Sequence, residues 1–385
     1  MEDIKIKEKH KLRKPSGPYV VGVRSFVFEY TPEENSDKKR LIPCLCFYPA
    51  MDVGEGKLKK YINDKILPGA GSIETNSYIG AHICDGKHPL LLYSHGFSLG
   101  LEANTVQFEE LASHGYLVLS IGHLGDGSYE LPNGEVVMFD MEKMMKEYHK
   151  EAIAGTELFA KYADWLRGDG RHANMEQHRD YYKKIIDKQP KMVAQSEIWV
   201  KDSLVALDMF LNEAEQEGSM FFDCVDKKNI GAFGMSFGGS VALDLALECD
   251  SIKASANLDG FFYSSNWERA IKKPVLLMQH DGIGGLFLAY PFLKAENDAY
   301  LMTVGNSTHG NFMDYNEILA GNIVSKAVIG DKEVELGMLG EIDPDKMESI
   351  MNVLLLDFFN KYLKGMGSRV IDTYALPADV TLLKH

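Results

Sequence analysis

A serine on a tight turn between a strand and a helix, followed along the chain by an aspartate and then a histidine, can attack an acyl carbon. This chain carries all three. Gly234-Met235-Ser236-Phe237-Gly238 follows the strand-like Asn229–Phe233 and precedes the helix-forming run Ser240–Glu248. Gly234, Gly238 and Gly239 fit a turn where strand and helix approach so closely that side chains would clash, and the pattern predicts a strained backbone that points the Ser236 hydroxyl off the sheet. A serine hydroxyl is unreactive near neutral pH, so it needs a base within hydrogen-bond reach and a carboxylate to orient that base. His309, in Gly305-Asn-Ser-Thr-His-Gly-Asn-Phe312, follows the last strand-like run and is the expected base. Two aspartates follow consecutive strand candidates, Asp259 before Gly260 and Asp281 before Gly282, and either could serve as the acid. Two backbone N–H groups are the usual means of stabilising the oxyanion formed on attack. Phe237 would give one and Phe97, after the permissive Gly96, the other. His95, His123 and His280 also follow strands and are read as supporting or structural residues. No H-E-x-x-H, EF-hand, Walker A or G-x-G-x-x-G pattern is present, so neither a metal nor a cofactor is expected.

These residues need a scaffold that gathers strand ends along one edge. Strand candidates fall at Ser25–Tyr30, Leu41–Tyr48, Pro89–Ser94, Tyr116–Ile121, Asn229–Phe233, Ile252–Leu258, Pro274–Met278 and Ala299–Val304, with helical stretches between most of them. That alternation predicts an α/β class: an eight-stranded, mostly parallel sheet flanked by helices. The first two candidates are separated only by the charged segment Thr31–Arg40, too short for a helical crossover, and are expected to form an antiparallel hairpin at the sheet edge. Between the fourth and fifth candidates lies a long interval with helical periodicity, which predicts a helical insertion. The chain is therefore divided into a core part at residues 1–124, an insertion at 125–200 and a second core part at 201–385. Met138, Met141, Met145 and Tyr148 recur at helical spacing and predict a stripe packed on the sheet, or else lining an acyl pocket. Asp202–Glu213 should lead back to the sheet, and Ile350, Val353, Leu354, Phe358 and Leu363 form an apolar helical face that closes at Gly365.

Composition narrows the partners. The 41 basic against 56 acidic residues give a net charge of −15, which disfavours nucleic acid and anionic membranes and leaves a small or neutral partner. The charged Met1–Lys14 stretch lacks the apolar run of a secretory signal, and no stretch is long and apolar enough to span a bilayer, so a cytoplasmic location is expected. Cys44 and Cys46 sit two apart on one predicted strand and read as buried free thiols.

The sequence resembles the platelet-activating factor acetylhydrolase family, plasma (lipoprotein-associated phospholipase A2) type, within the α/β-hydrolases. The resemblance lies in Gly17-Pro-Tyr-Val-Val-Gly22, Ser94-His-Gly-Phe97, Leu111-Ala-Ser-His-Gly-Tyr116, Gly234-Met-Ser-Phe-Gly-Gly239, Asn257-Leu-Asp-Gly260 and His309-Gly-Asn-Phe312. It implies the α/β-hydrolase fold, with the elbow serine, acid and histidine in that chain order. The commoner arrangement in that superfamily would favour Asp281 as the acid, whereas this family's pattern carries over to Asp259. It also carries the oxyanion donors over to Phe97 and Phe237. Met235 departs from the family, where a histidine is common before the serine. The implied activity is metal-independent hydrolysis of short acyl esters, with the sn-2 position of phospholipids as one substrate class. A general carboxylesterase, a dienelactone- or polyester-hydrolase-like enzyme, and a binding module without catalysis are the alternatives.

Overall fold

The structure is a computed structural model, described for all residues except 1–4, 9–10, 33–38, 283–284, 330–331, 368–369, 374–375 and 377–378. The middle of the expected Thr31–Arg40 connection and parts of Met1–Lys14 therefore lie outside the described residues. The N-terminal strands are β1 (Val20–Tyr30), β2 (Arg40–Asp52), β3 (Lys57–Lys60), β4 (Glu74–Ile79), β5 (His82–Ile83), β6 (His88–Ser94) and β7 (Leu117–Ile121). Two small hairpins follow later in the chain, β8 (Tyr129–Glu130) with β9 (Val136–Val137), and β14 (Val324–Ile329) with β15 (Lys332–Gly337). Strands β10 (Val225–Met235), β11 (Ile252–Leu258), β12 (Val275–His280), β13 (Ala299–Val304) and β16 (Val380–Lys384) complete the main sheet.

Among the described residues that sheet has twelve strands, in the order β16-β13-β12-β11-β10-β6-β7-β2-β1-β4-β3, with β5 paired to β2. All eight expected strands are present within it, and the run from β13 to β7 is parallel throughout. Continuous apolar runs such as the fully buried His88–Ser94 and Leu117–Ile121 are what a sheet covered on both faces demands. The four strands beyond the expected eight are short or polar, such as Lys57-Leu-Lys-Lys60, and carry no period-2 apolar signal. They also correct one expectation: β1 and β2 do pair antiparallel, but β4 and β3 continue past β1, so the hairpin is interior to the sheet.

The helices are α1 (Thr105–Ser113), α2 (Met141–Arg167), α3 (Met175–Lys188), α4 (Pro190–Glu213), α5 (Phe237–Glu248), α6 (Ala289–Lys294), α7 (Tyr315–Ile318) and α8 (Pro344–Lys364). Phe108 and Leu111 of α1 and Phe358 and Phe359 of α8 bury one face of the sheet. Tyr162, Tyr182, Trp199 and Val241, from α2, α3, α4 and α5, bury the other. Helix α8 ends at Gly365 in the left-handed region, φ 64°, a conformation that favours glycine. Its expected apolar face is buried apart from Val353, which is exposed. Cys44 and Cys46 are buried free thiols.

Helices α2, α3 and α4 occupy the long interval expected to be helical, and α4 contains the expected Asp202–Glu213 helix. The methionine stripe differs from expectation. Met138, Met141 and Met145 are 52, 45 and 45% exposed. The inward face of α2 runs instead through Met144, Tyr148, Glu151 and Gly155, one residue (about 100°) out of phase with Met145. No helix among the described residues is long and apolar enough to cross a membrane.

Candidate active site

After β10 the sheet order reverses: β11, β12 and β13 continue on one side, while β6 and β7 lie on the other. Side chains at the carboxyl ends of strands flanking such a switch point converge on a crevice. Ser236 sits there, between β10 and α5, with φ 55° and ψ −122°. The strain is held by packing: a Cβ on Gly234 would fall 2.1 Å from the Gly238 carbonyl oxygen, and one on Gly238 would fall 1.9 Å from that of Ser94. The Ser236 N–H is tied to the Leu258 carbonyl at 2.8 Å, which fixes the turn to β11.

His309 lies in a short 3-10 turn after β13, and its Nε2 is 2.8 Å from Ser236 Oγ. Its Nδ1 is 2.6 Å from Asp259 Oδ2. A carboxylate only accepts, so Nδ1 carries the proton, and Nε2 is left to receive the serine's. Asp259 is fully buried, whereas the His309 side chain is 46% exposed. Burial alone would raise the Asp259 pKa, but the charges and hydrogen bonds of His280 and His309 outweigh it and hold the carboxyl well below the usual range. Asp259 has φ 57°, and its turn is pinned by Asn257, whose Oδ1 accepts from Gly260 N–H at 2.7 Å and whose Nδ2 donates to the Gly260 carbonyl at 2.8 Å. A side chain at residue 260 is barred, since its Cβ would meet the Ser236 carbonyl oxygen at 1.9 Å.

Asp281 does not join this cluster. It is exposed, and its backbone carbonyl accepts from Arg167 of α2. Strand alternation explains the choice: successive side chains of β12 point to opposite faces, so His280 turns in toward Asp259 and Asp281 turns out. His280 was read from sequence as a supporting residue, and its contact with Asp259 is direct, Nδ1 to Oδ2 at 2.5 Å and backbone N–H to Oδ1 at 2.9 Å. The parallel pairing of Leu258 with Met278 is the signal that would have found it, but register is not visible in one sequence.

Gly96 and Phe97 follow β6 and lie directly against Ser236; a Cβ on Gly96 would be 3.1 Å from Ser236 Cβ. Among the described residues neither Phe97 N–H nor Phe237 N–H has a protein acceptor. Their rings meet edge to face at 5.6 Å. Phe97 also meets Phe139 and Tyr148 at 5.8 and 5.6 Å, which brings the start of α2 over this loop. On the other side Phe237, Tyr263, Phe261, Phe159 and Phe287 continue ring to ring. The region around Ser236 is thus walled by aromatic carbon.

His95 and His123 are fully buried behind this wall. His95 Nδ1 is 2.7 Å from the Gly96 carbonyl oxygen, and His123 pairs with Asp202. Sequence reading missed Asp314, four positions before Ile318, whose carboxylate accepts from Thr105 and Val106 N–H at the start of α1 and from the Tyr61 hydroxyl. It anchors the segment that presents His309. Asp259, His280 and His309 also place three ligand atoms within 4.8 Å of one another, a set that could hold a divalent cation. Both Nδ1 atoms would first have to give up the protons they donate to Asp259.

Known proteins resemble this chain in sequence and in fold. Residues 206–368, which include Ser236, Asp259 and His309, match the family model for platelet-activating factor acetylhydrolase, isoform II. The chain is 20% identical over 302 residues to the platelet-activating factor acetylhydrolase of Gallus gallus, covering 74% of this chain and 67% of that one. It is 22% identical over 379 residues to that of Bos taurus, covering 92% of this chain and 77% of the relative. Among solved structures it shares its fold with a ferulic acid esterase from Streptomyces cinnamoneus, TM-score 0.67 at 18% identity over 97% of this chain and 99% of that chain. On these likenesses the chain resembles the platelet-activating factor acetylhydrolases, has the α/β-hydrolase fold and is a carboxylic ester hydrolase.

Proposed function

We propose that the protein hydrolyses short acyl esters through an acyl-enzyme, with Ser236 as nucleophile, His309 as general base and then acid, and Asp259 as the carboxylate that orients His309. The single observation that carries this is the continuous hydrogen-bonded line from Ser236 Oγ through His309 to the buried Asp259. As Ser236 Oγ attacks the ester carbon, its proton passes to His309 Nε2, and the imidazolium is stabilised by Asp259. Phe97 N–H and Phe237 N–H receive the oxyanion. His309 then protonates the departing alkoxide, and a water activated by the same nitrogen releases the acid.

The aromatic walls favour a compact apolar acyl group beside the serine. The names of the relatives add the acetyl group of platelet-activating factor as a concrete candidate, and the family resemblance adds phospholipase A2-type cleavage at the sn-2 position of phospholipids. We assign residues 125–200 the part of a cap over the crevice, because Phe139, Tyr148 and Phe159 supply part of its wall. A reducing compartment such as the cytoplasm suits a chain whose five cysteines are all unpaired. A panel of esters sharing one leaving group and differing in acyl length tests the substrate. The expected result is kcat/KM highest at roughly two to four carbons, the range in which each added methylene is worth about 0.8 kcal/mol only while the pocket can bury it. A maximum at sixteen carbons would overturn the short-chain assignment.

A further inference from the structure

We propose that His280 is a positioning residue for the acid, one that shares the Asp259 carboxylate with His309 and so limits how strongly Asp259 draws a proton onto His309. The inference rests on the triad reading above. Every donor described on the Asp259 carboxylate belongs to one of two histidines. Oδ2 accepts from His280 Nδ1 at 2.5 Å and from His309 Nδ1 at 2.6 Å, and Oδ1 accepts from the His280 backbone N–H at 2.9 Å. In a fully buried site this matters, because a carboxylate deprived of solvent must find its stabilisation in the donors around it.

His280 is built to stay in place. It ends β12 beside Asp259, its side chain is only 6% exposed, and Phe287 packs on its ring at 6.3 Å. Gly285 lies flush against it, since a Cβ there would come within 2.8 and 2.9 Å of its Cδ2 and Nε2. Arg167 of α2 clamps the chain just after His280 by donating to the carbonyls of Asp281 and Gly282, 2.6 Å each. Among the described residues the charged and titratable groups around the ring are Asp259 from the end of β11, His309 at 6.2 Å ring to ring, the Arg167 guanidinium and the exposed Asp281.

The consequence has a definite sign. Two imidazoles competing for one oxygen leave less negative charge to stabilise the His309 imidazolium. Removing the side-chain donor of His280 makes Asp259 a stronger acceptor for His309, which favours the imidazolium formed in the reaction and moves the acid limb of the activity profile to higher pH.

The test is the pH dependence of kcat/KM and kcat for His280→Leu, His280→Gln and His280→Asn in the full chain. An asparagine amide nitrogen falls near the position of Nδ1, whereas a glutamine amide reaches the position of Nε2, so Asn keeps the donor and Gln does not. We expect Leu and Gln to shift the acid limb upward by about half to one pH unit, with plateau kcat lower by roughly tenfold, and Asn to stay within about 0.2 unit and threefold of the parent. If Leu does not fold, the Gln and Asn variants still decide. An acid limb unmoved in the donor-deficient variants, whatever their kcat, overturns the inference, and so does an Asn variant displaced as far as Gln. Ser236→Ala assayed alongside separates the two readings: if it keeps activity the triad falls, and if it is inactive while the limbs stay put only the role of His280 falls.

Discussion

Two buried aspartates, Asp202 and Asp259, are each held by a histidine, and their surroundings differ. Asp202 of α4 takes two bonds from Arg40, both 2.6 Å, one from His123 Nδ1 at 3.0 Å and one from the Tyr30 hydroxyl at 3.0 Å. Its counter-charge is a permanent guanidinium, and the His123 ring is fully buried and stacked on Trp199 at 3.9 Å. Among the described residues Asp259 has no guanidinium partner and its side-chain partners are imidazoles, one of which keeps 46% of its side chain exposed and its Nε2 on Ser236 Oγ. A histidine beside a carboxylate already neutralised by arginine, with its other nitrogen 3.3 Å from the buried Ser94 hydroxyl, is scaffold. A histidine that is itself the neutralising group, open on its far side, can take and return a proton.

The largest effect that would sharpen this contrast is on rate. Asp259→Asn is expected to lower kcat by about 10⁴, because the amide neither fixes the His309 tautomer nor stabilises its imidazolium. Asp281→Asn, at an exposed position outside the cluster, should stay within about threefold. Steady-state kinetics on the two variants checks this, and the reverse ranking would reassign the acid.

The Asp202 pair should show itself in stability. Asp202→Ala leaves Arg40 and His123 without their partner in a buried site, which is expected to cost about 3–5 kcal/mol in urea unfolding. The folded fraction should keep kcat within about tenfold. A stable Asp202→Ala protein with a rate loss comparable to that of Asp259→Asn would erase the distinction between the two sites.

How far the sequence could reveal this contrast depends on the range of the interactions. The elbow is local: strand, turn and helix around Ser236 lie within about twenty residues, and the glycine spacing states their close approach. His95, His123, His280 and His309 look alike in sequence, each following an apolar strand. What separates them is the partners of each ring, supplied by residues as distant as Asp202, Tyr129 and Asp259. Which of Asp259 and Asp281 bonds His309 turns on strand register and alternation, which one sequence does not display. The same limit explains the added polar strands β3, β4 and β5 and the phase of the α2 methionines. Pairing partners, more than intrinsic periodicity, settle short strands and the rotation of a surface helix.

A smaller effect contrasts buried carboxyls that stay protonated with Asp259, which stays ionised. Glu348 of α8 bonds Gln107 of α1 and Asn316 of α7, and burial, reinforced by the charge of Glu317, pushes its pKa up to about 8 from 4.5. Between these values the folded chain holds a proton that the unfolded chain has lost, so this contribution is fully present below about 4.5 and declines as pH rises toward 8. Glu348→Gln should flatten that decline, a change on the order of 1 kcal/mol per pH unit or less in denaturant unfolding. An unchanged pH dependence of stability would show that Glu348 is ionised in the fold.

The account stands most directly on Ser236. Exposure of the purified protein to a fluorophosphonate, followed by intact-mass and peptide analysis, should give one adduct per chain, located on Ser236, with activity lost in proportion. Ser236→Ala should take up no reagent and lose on the order of 10⁶ in kcat while keeping its fold. An adduct on another residue, or a Ser236→Ala protein within tenfold of the parent, would contradict the assignment of Ser236, His309 and Asp259 to ester hydrolysis.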